Sequence, residues 1–256
     1  MLEVEPATEE RVSDIIPLPG FAEPIASFTH LFAAPFALVF GFFLLRRGRG
    51  EPRRTFALLV YLVGIVSLLA VSGTYHSLDP VGPSRFVLRH LDFTAIWLLI
   101  AGTFTPIHVI ALRGPWRWGM LAVIWGFAIV GITLETVYLE LIPGWLAVTL
   151  FLVLGWMGAL SSWRLAKARG FALVKDCIYG GIAYSVGATF EGIGHPTLIA
   201  GVFGPHELFH VAVLVGIVFH GRFVWRFADE STFGEALAHA RTPRPSRPIP
   251  RPVTAS

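Results

Sequence analysis

The chain has 256 residues, 54% of them hydrophobic and 14% charged, with a mean hydropathy of +0.66. That balance excludes one or two soluble globular domains, and apolar runs of about 20 residues indicate a polytopic α-helical membrane protein rather than the short alternating segments of a β-barrel. The net charge of +3 comes from arginines clustered between the apolar runs and in the tail, a signal of membrane topology, so no nucleic-acid partner is expected. The single cysteine, Cys177, excludes an internal disulfide.

Residues 1–27 are acidic, polar and punctuated by proline, and read as a surface-lying or disordered arm. They lack the pattern of a signal peptide, so the first membrane helix is expected to direct insertion. Apolar runs then predict seven spans, at residues 30–45, 56–76, 92–112, 118–135, 145–163, 172–190 and 205–227. Pro106 should kink the third span. The sixth is rich in small residues, which permit close helix approach in lipid. Residues 228–256 form a Pro/Arg-rich segment read as a disordered tail. The expected fold is therefore all-α, with seven transmembrane helices in one bundle over residues 28–227.

Loop charges orient that bundle. Eleven Lys and Arg follow spans one, three and five, while the N-terminal arm and the other loops carry only Arg11, Arg85 and Arg89. The positive-inside rule then places the N-terminus outside and the C-terminus in the cytoplasm, in a membrane expected to be a bacterial inner membrane.

Imidazole and carboxylate groups within spans are costly and usually functional or paired. Ser72 and His76 share a face at the end of span two, Asp92 opens span three, and His206 and His210 open span seven. Counting crossings places all of them at one face of the membrane. His76, His206 and His210 make a three-imidazole set for zinc, the fourth position left to water, as in catalytic rather than structural sites. Asp92 would hold the water or accept its proton, with Ser72 donating beside it. Singly, each has a plainer reading: Ser72 bonded to a carbonyl one turn back, Asp92 a helix cap, His76 an interfacial residue.

His206-Glu207-Leu208-Phe209-His210 also matches H-E-x-x-H, in which Glu207 would be the general base of a zinc protease. The downstream carboxylates Asp229, Glu230 and Glu235 follow span seven and so lie at the opposite face, which argues against that arrangement. His30, His108 and His195, near span ends or loops, need no special role, and His220 is expected to pack within the bundle.

The stretches SGTYHS (72–77), RHLDFTAIWLLIAGTFTP (89–106) and HELFHVAVLVGIVFH (206–220) resemble the hemolysin III branch of the progestin and adipoQ receptor (PAQR) family. EPIASFTH (23–30) and GGIAYSVGATF (180–190) resemble its first and sixth segments. The resemblance implies seven helices around an intramembrane zinc held by His76, His206 and His210, with Asp92 on the metal-bound water and Ser72 beside it. It further implies a zinc-dependent hydrolase of lipid amides or esters, related to alkaline ceramidases, with membrane lipids as substrate or ligand. Phe93 stands where bacterial members often carry histidine. The loop charges also place the N-terminus opposite to its side in the receptor members. The alternative is a non-catalytic receptor, lipid-state sensor or pore-forming protein with a structural zinc.

Overall fold

A computed structural model describes residues 15–138 and 141–230 of the chain. Most of the expected N-terminal arm and C-terminal tail (1–14 and 231–256) lie outside the described residues. Among the described residues the fold is seven helices: α1 (Pro24–Arg47), α2 (Pro52–Ser77), α3 (Pro83–Pro106), α4 (Pro115–Tyr138), α5 (Gly144–Arg169), α6 (Phe171–Ile193) and α7 (Pro205–Trp225). Five of them open on proline. A proline in the first turn gives up no hydrogen bond and has its φ already set, so each of these starts is fixed locally.

The helices outrun the apolar runs that betray them. α3 begins at Pro83, nine residues before Asp92, because PSRFVLRH is too polar to register as a span yet continues the same backbone ladder. Asp92 therefore lies well inside α3 and is not its cap. At the other end, Pro106 lacks the N–H that would extend the helix, and α3 runs on as a π-helical turn over Ile107–Ala111.

Six of the helices are long and apolar enough to cross a membrane. α6 has the length, at 23 residues, but Lys175, Asp176 and Glu191 and its glycines and tyrosines dilute its apolarity. It belongs to the bundle through its packing between α5 and α7. The outward faces carry Phe36, Phe42, Val130, Trp156 and Val218, as an all-helical bundle in lipid requires. The inward faces pack Tyr61, Ile65 and Leu69 of α2 against Leu99 of α3 and Phe223 of α7. α2 and α3 touch backbone to backbone. A Cβ on Gly64 would lie 3.0 Å from the Leu98 carbonyl oxygen, and one on Gly102 would lie 3.2 Å from that of Val60.

The two ends of the bundle differ. One gathers residues 15–23 with the α2–α3 and α6–α7 connections: the Ile16 N–H donates to the Gly201 carbonyl at 2.7 Å, and the Glu23 N–H to that of His76 at 3.0 Å. The other gathers the arginine-rich connections. There Arg54 Nη1 donates to the carbonyls of Asp229 (2.8 Å) and Glu230 (2.9 Å), tying the start of α2 to the chain after α7.

Candidate metal centre

His76 occupies the last turn of α2, and His206 and His210 the first two turns of α7. The i, i+4 spacing turns the two α7 imidazoles to one face, and Pro205 fixes where that face begins. The three rings meet at the end of the bundle that holds the N-terminal segment. Each offers a nitrogen, and these three atoms all lie within 4.8 Å of one another. His76 and His210 are almost fully buried, while His206 is partly open.

The hydrogen bonds around the rings fix which nitrogens face inward. His76 Nδ1 lies 2.5 Å from Glu23 Oε2, and Glu23 Oε1 takes the guanidinium of Arg85. His206 Nδ1 lies 3.1 Å from Glu191 Oε2. Carboxylates only accept, so each Nδ1 carries the proton and each Nε2 is left with a lone pair. Those two Nε2 atoms face each other at 3.3 Å. Two lone pairs at that distance repel unless a cation or an added proton lies between them. The separation is also the edge, about 3.3 Å, of a tetrahedron with metal–nitrogen bonds of 2.0–2.1 Å. Imidazole donors backed by carboxylates are the usual support of a bound metal. The three histidines could hold one.

Glu23 precedes α1 and is 7% exposed. Burial alone would raise its carboxyl, but His76 and Arg85 outweigh it and hold it down to about 2, so the group stays a carboxylate between the ring and the guanidinium.

Asp92 brings α3 to the same place. Its Oδ2 is 4.0 Å from His76 Nε2, a gap that suits a bridging water rather than direct contact. Its Oδ1 is buried without a hydrogen-bond partner, and the Ser72 hydroxyl, one turn before His76, bonds to the carboxyl group. The structure thus gathers all five residues singled out in the sequence: Ser72, His76, Asp92, His206 and His210.

Glu207 is employed elsewhere. It accepts from the Gly204 N–H at 2.8 Å, closing the open N-terminus of α7, as an acidic residue three positions into a helix commonly does. The H-E-x-x-H reading thereby loses its general base.

Four partners were missed in the sequence reading. Glu23, Arg85 and Glu191 orient the rings as described. His30 stacks on His210 with centroids 4.0 Å apart and planes 20° from parallel, although a residue near a span end needed no role. Glu191 had a usable signal: a carboxylate at the end of α6 reaches the same membrane face by the crossing count. His108, at the opposite end, pairs with the Trp116 carbonyl (2.6 Å) and Ser161 (3.1 Å) and belongs to packing.

Below the histidines lies a cavity of about 1070 Å³. Its walls are mainly apolar, with Leu68, Ile96, Leu99 and Phe151 among them.

Fold and centre together define a polytopic helical membrane protein with a three-histidine cluster at one membrane face. The chain matches the Haemolysin-III related family over residues 21–221 and belongs to it. It is 38% identical over 146 residues to Hemolysin-3 of Bacillus cereus, covering 55% of this chain and 64% of that one. To the Hemolysin-3 homolog of Bacillus subtilis (strain 168) it is 29% identical over 131 residues, covering 51% and 61%. To the heptahelical transmembrane protein ADIPOR2 of Oryza sativa subsp. japonica it is 30% identical over 188 residues, covering 68% and 81%. The matches to the two Bacillus proteins span less than two thirds of their length.

Proposed function

We propose that this chain is a zinc-dependent hydrolase of a lipid amide or ester. The Bacillus relatives support a bacterial inner membrane, and loop charge supports an orientation with the centre at the outer face and the C-terminus in the cytoplasm. The observation that carries the reading is the pair of Nε2 atoms 3.3 Å apart, each ring anchored through Nδ1 to a carboxylate. Zinc bound by His76, His206 and His210 would supply a Lewis acid and lower the pKa of a water from 15.7 to roughly 7.

The chain's own groups do the rest. Glu23 and Glu191 keep two imidazoles in the ligating tautomer and raise their basicity. Asp92 accepts the proton of the attacking water through the Oδ2 that faces His76 Nε2, then returns it to the leaving amine or alkoxide. Ser72 holds the Asp92 carboxyl in place. The apolar cavity takes the acyl chain and keeps bulk water from the carbonyl.

Metal analysis of detergent-purified protein beside a His206→Ala/His210→Ala variant tests the centre. About one zinc per chain, lost in the variant, is expected; a well-folded wild type without metal would end the hydrolase reading. One observation favours a second reading, a zinc that only ties helices together: the three imidazoles come from α2 and α7, and α7 packs mainly on α6 and α1. In that case chelation lowers the melting temperature while no lipid product forms at any zinc level.

A further inference from the structure

The cavity under the histidines does not end in hydrocarbon. Its deep end is lined by Ser162 of α5, Cys177 and Tyr184 of α6, and His220 of α7. His220 lies fourteen residues beyond His206 along α7, about 21 Å of helix. Its Nδ1–H donates to the Gly216 carbonyl at 2.9 Å, which leaves Nε2 as an acceptor. The ring stacks on Tyr184, centroids 5.3 Å apart and planes 14° from parallel. The Ser162 hydroxyl donates to Cys177 Sγ at 3.3 Å.

Two features make this more than chance polarity. The Tyr184 hydroxyl is buried and has no hydrogen-bond partner; nor does that of the nearby Tyr61, a residue 1% exposed. Space has also been cleared for the stacked pair. A Cβ on Gly180 would strike the His220 ring, and one on Gly216 would strike the Tyr184 ring. In a bilayer an unpaired buried donor is expensive, and it marks a place where a partner binds.

We propose that the deep end is a second polar subsite that takes a hydroxyl at the far end of a long acyl chain, so that the preferred ligand is a lipid polar at both ends. The ligand hydroxyl accepts from Tyr184 and donates to His220 Nε2. The apolar walls between the two ends hold the methylenes. The inference rests on the cavity being a lipid site and not on hydrolysis.

The test is equilibrium binding of ω-hydroxypalmitic acid and palmitic acid to the full chain in lipid nanodiscs. The two probes share a head group, so the ratio of their affinities cancels whatever the histidine end contributes, and it reads the same whether or not the protein turns over. The expected result is tighter binding of the hydroxylated acid by about tenfold. Tyr184→Phe, which removes one oxygen, should abolish that preference and leave palmitic acid binding unchanged. Should that variant not fold, His220→Phe keeps the stack, removes the acceptor and is read the same way. Equal affinities in the wild type, or a preference that the substitution leaves intact, would overturn the proposal.

Discussion

The two ends of this bundle use charge in opposite ways. At the histidine end the charges are few and each is held by a specific neighbour: Glu23 enclosed between His76 and Arg85, Asp92 on Ser72, and Glu191 on His206 in a pair about a third exposed. At the other end arginines are many: Arg54 and Arg117 are buried on backbone carbonyls, while others lie open at the surface. Arg169 pairs with Glu230 at 2.6 Å with both side chains about a third exposed, and Arg47 meets Asp229 at 3.0 Å in a still more open pair. The first end fixes geometry and the second fixes orientation in the bilayer. Enclosed charges cannot be replaced singly, whereas open ones are redundant.

Substitutions can break that contrast, beginning with the largest effect. Asp92→Asn should lower lipid amide or ester turnover by about a thousandfold while zinc stays near one per chain. Undiminished activity in that variant would remove Asp92 from the chemistry. Glu23→Ala strips His76 of its acceptor and leaves the Arg85 guanidinium buried beside an empty place. Zinc affinity should fall by about 10–100-fold, and stability by about 3–5 kcal/mol. A competitive chelator titration and a melting curve read the two separately, and normal zinc affinity would mean that the Glu23–His76 contact does not orient the ring.

His30→Phe sharpens the contrast within the enclosed end. It preserves a ring against His210 and should leave zinc content unchanged, whereas a variant stripped of metal would make His30 a ligand. The smallest effect belongs to the open end. Arg169→Ala should cost less than about 1 kcal/mol, and a large drop in melting temperature there would erase the distinction between the ends.

The sequence made the helices legible because lipid demands long apolar runs and because proline marks where helices begin. It also made the convergence of His76, Asp92, His206 and His210 legible, since counting crossings needs only the number of spans. Helix starts were less so: Pro83 precedes its apolar run by more than two turns, and hydropathy is blind to polar residues that continue a helix. Of the partners of the histidines only Glu191 left a signal, through the crossing count. Glu23 and His76 are 53 positions apart, and whether their side chains meet depends on the rotation of α1 against α2, which no spacing within either helix encodes. The polar floor escaped for the same reason. Read along their spans, Tyr184 and His220 are isolated residues in apolar sequence, and only the closeness of α6 and α7 turns them into a pair.

The one thiol in the chain sits at that floor. Cys177 is free, 8% exposed and faces the cavity beside Ser162. With no other sulfhydryl to compete, an uncharged maleimide has a single thiol to react with, and a route to it runs through the space a ligand would fill. The rate of that labelling therefore reports how full the cavity is. Occupancy becomes readable by mass spectrometry on the unmodified protein, without a substrate, a product or a substitution.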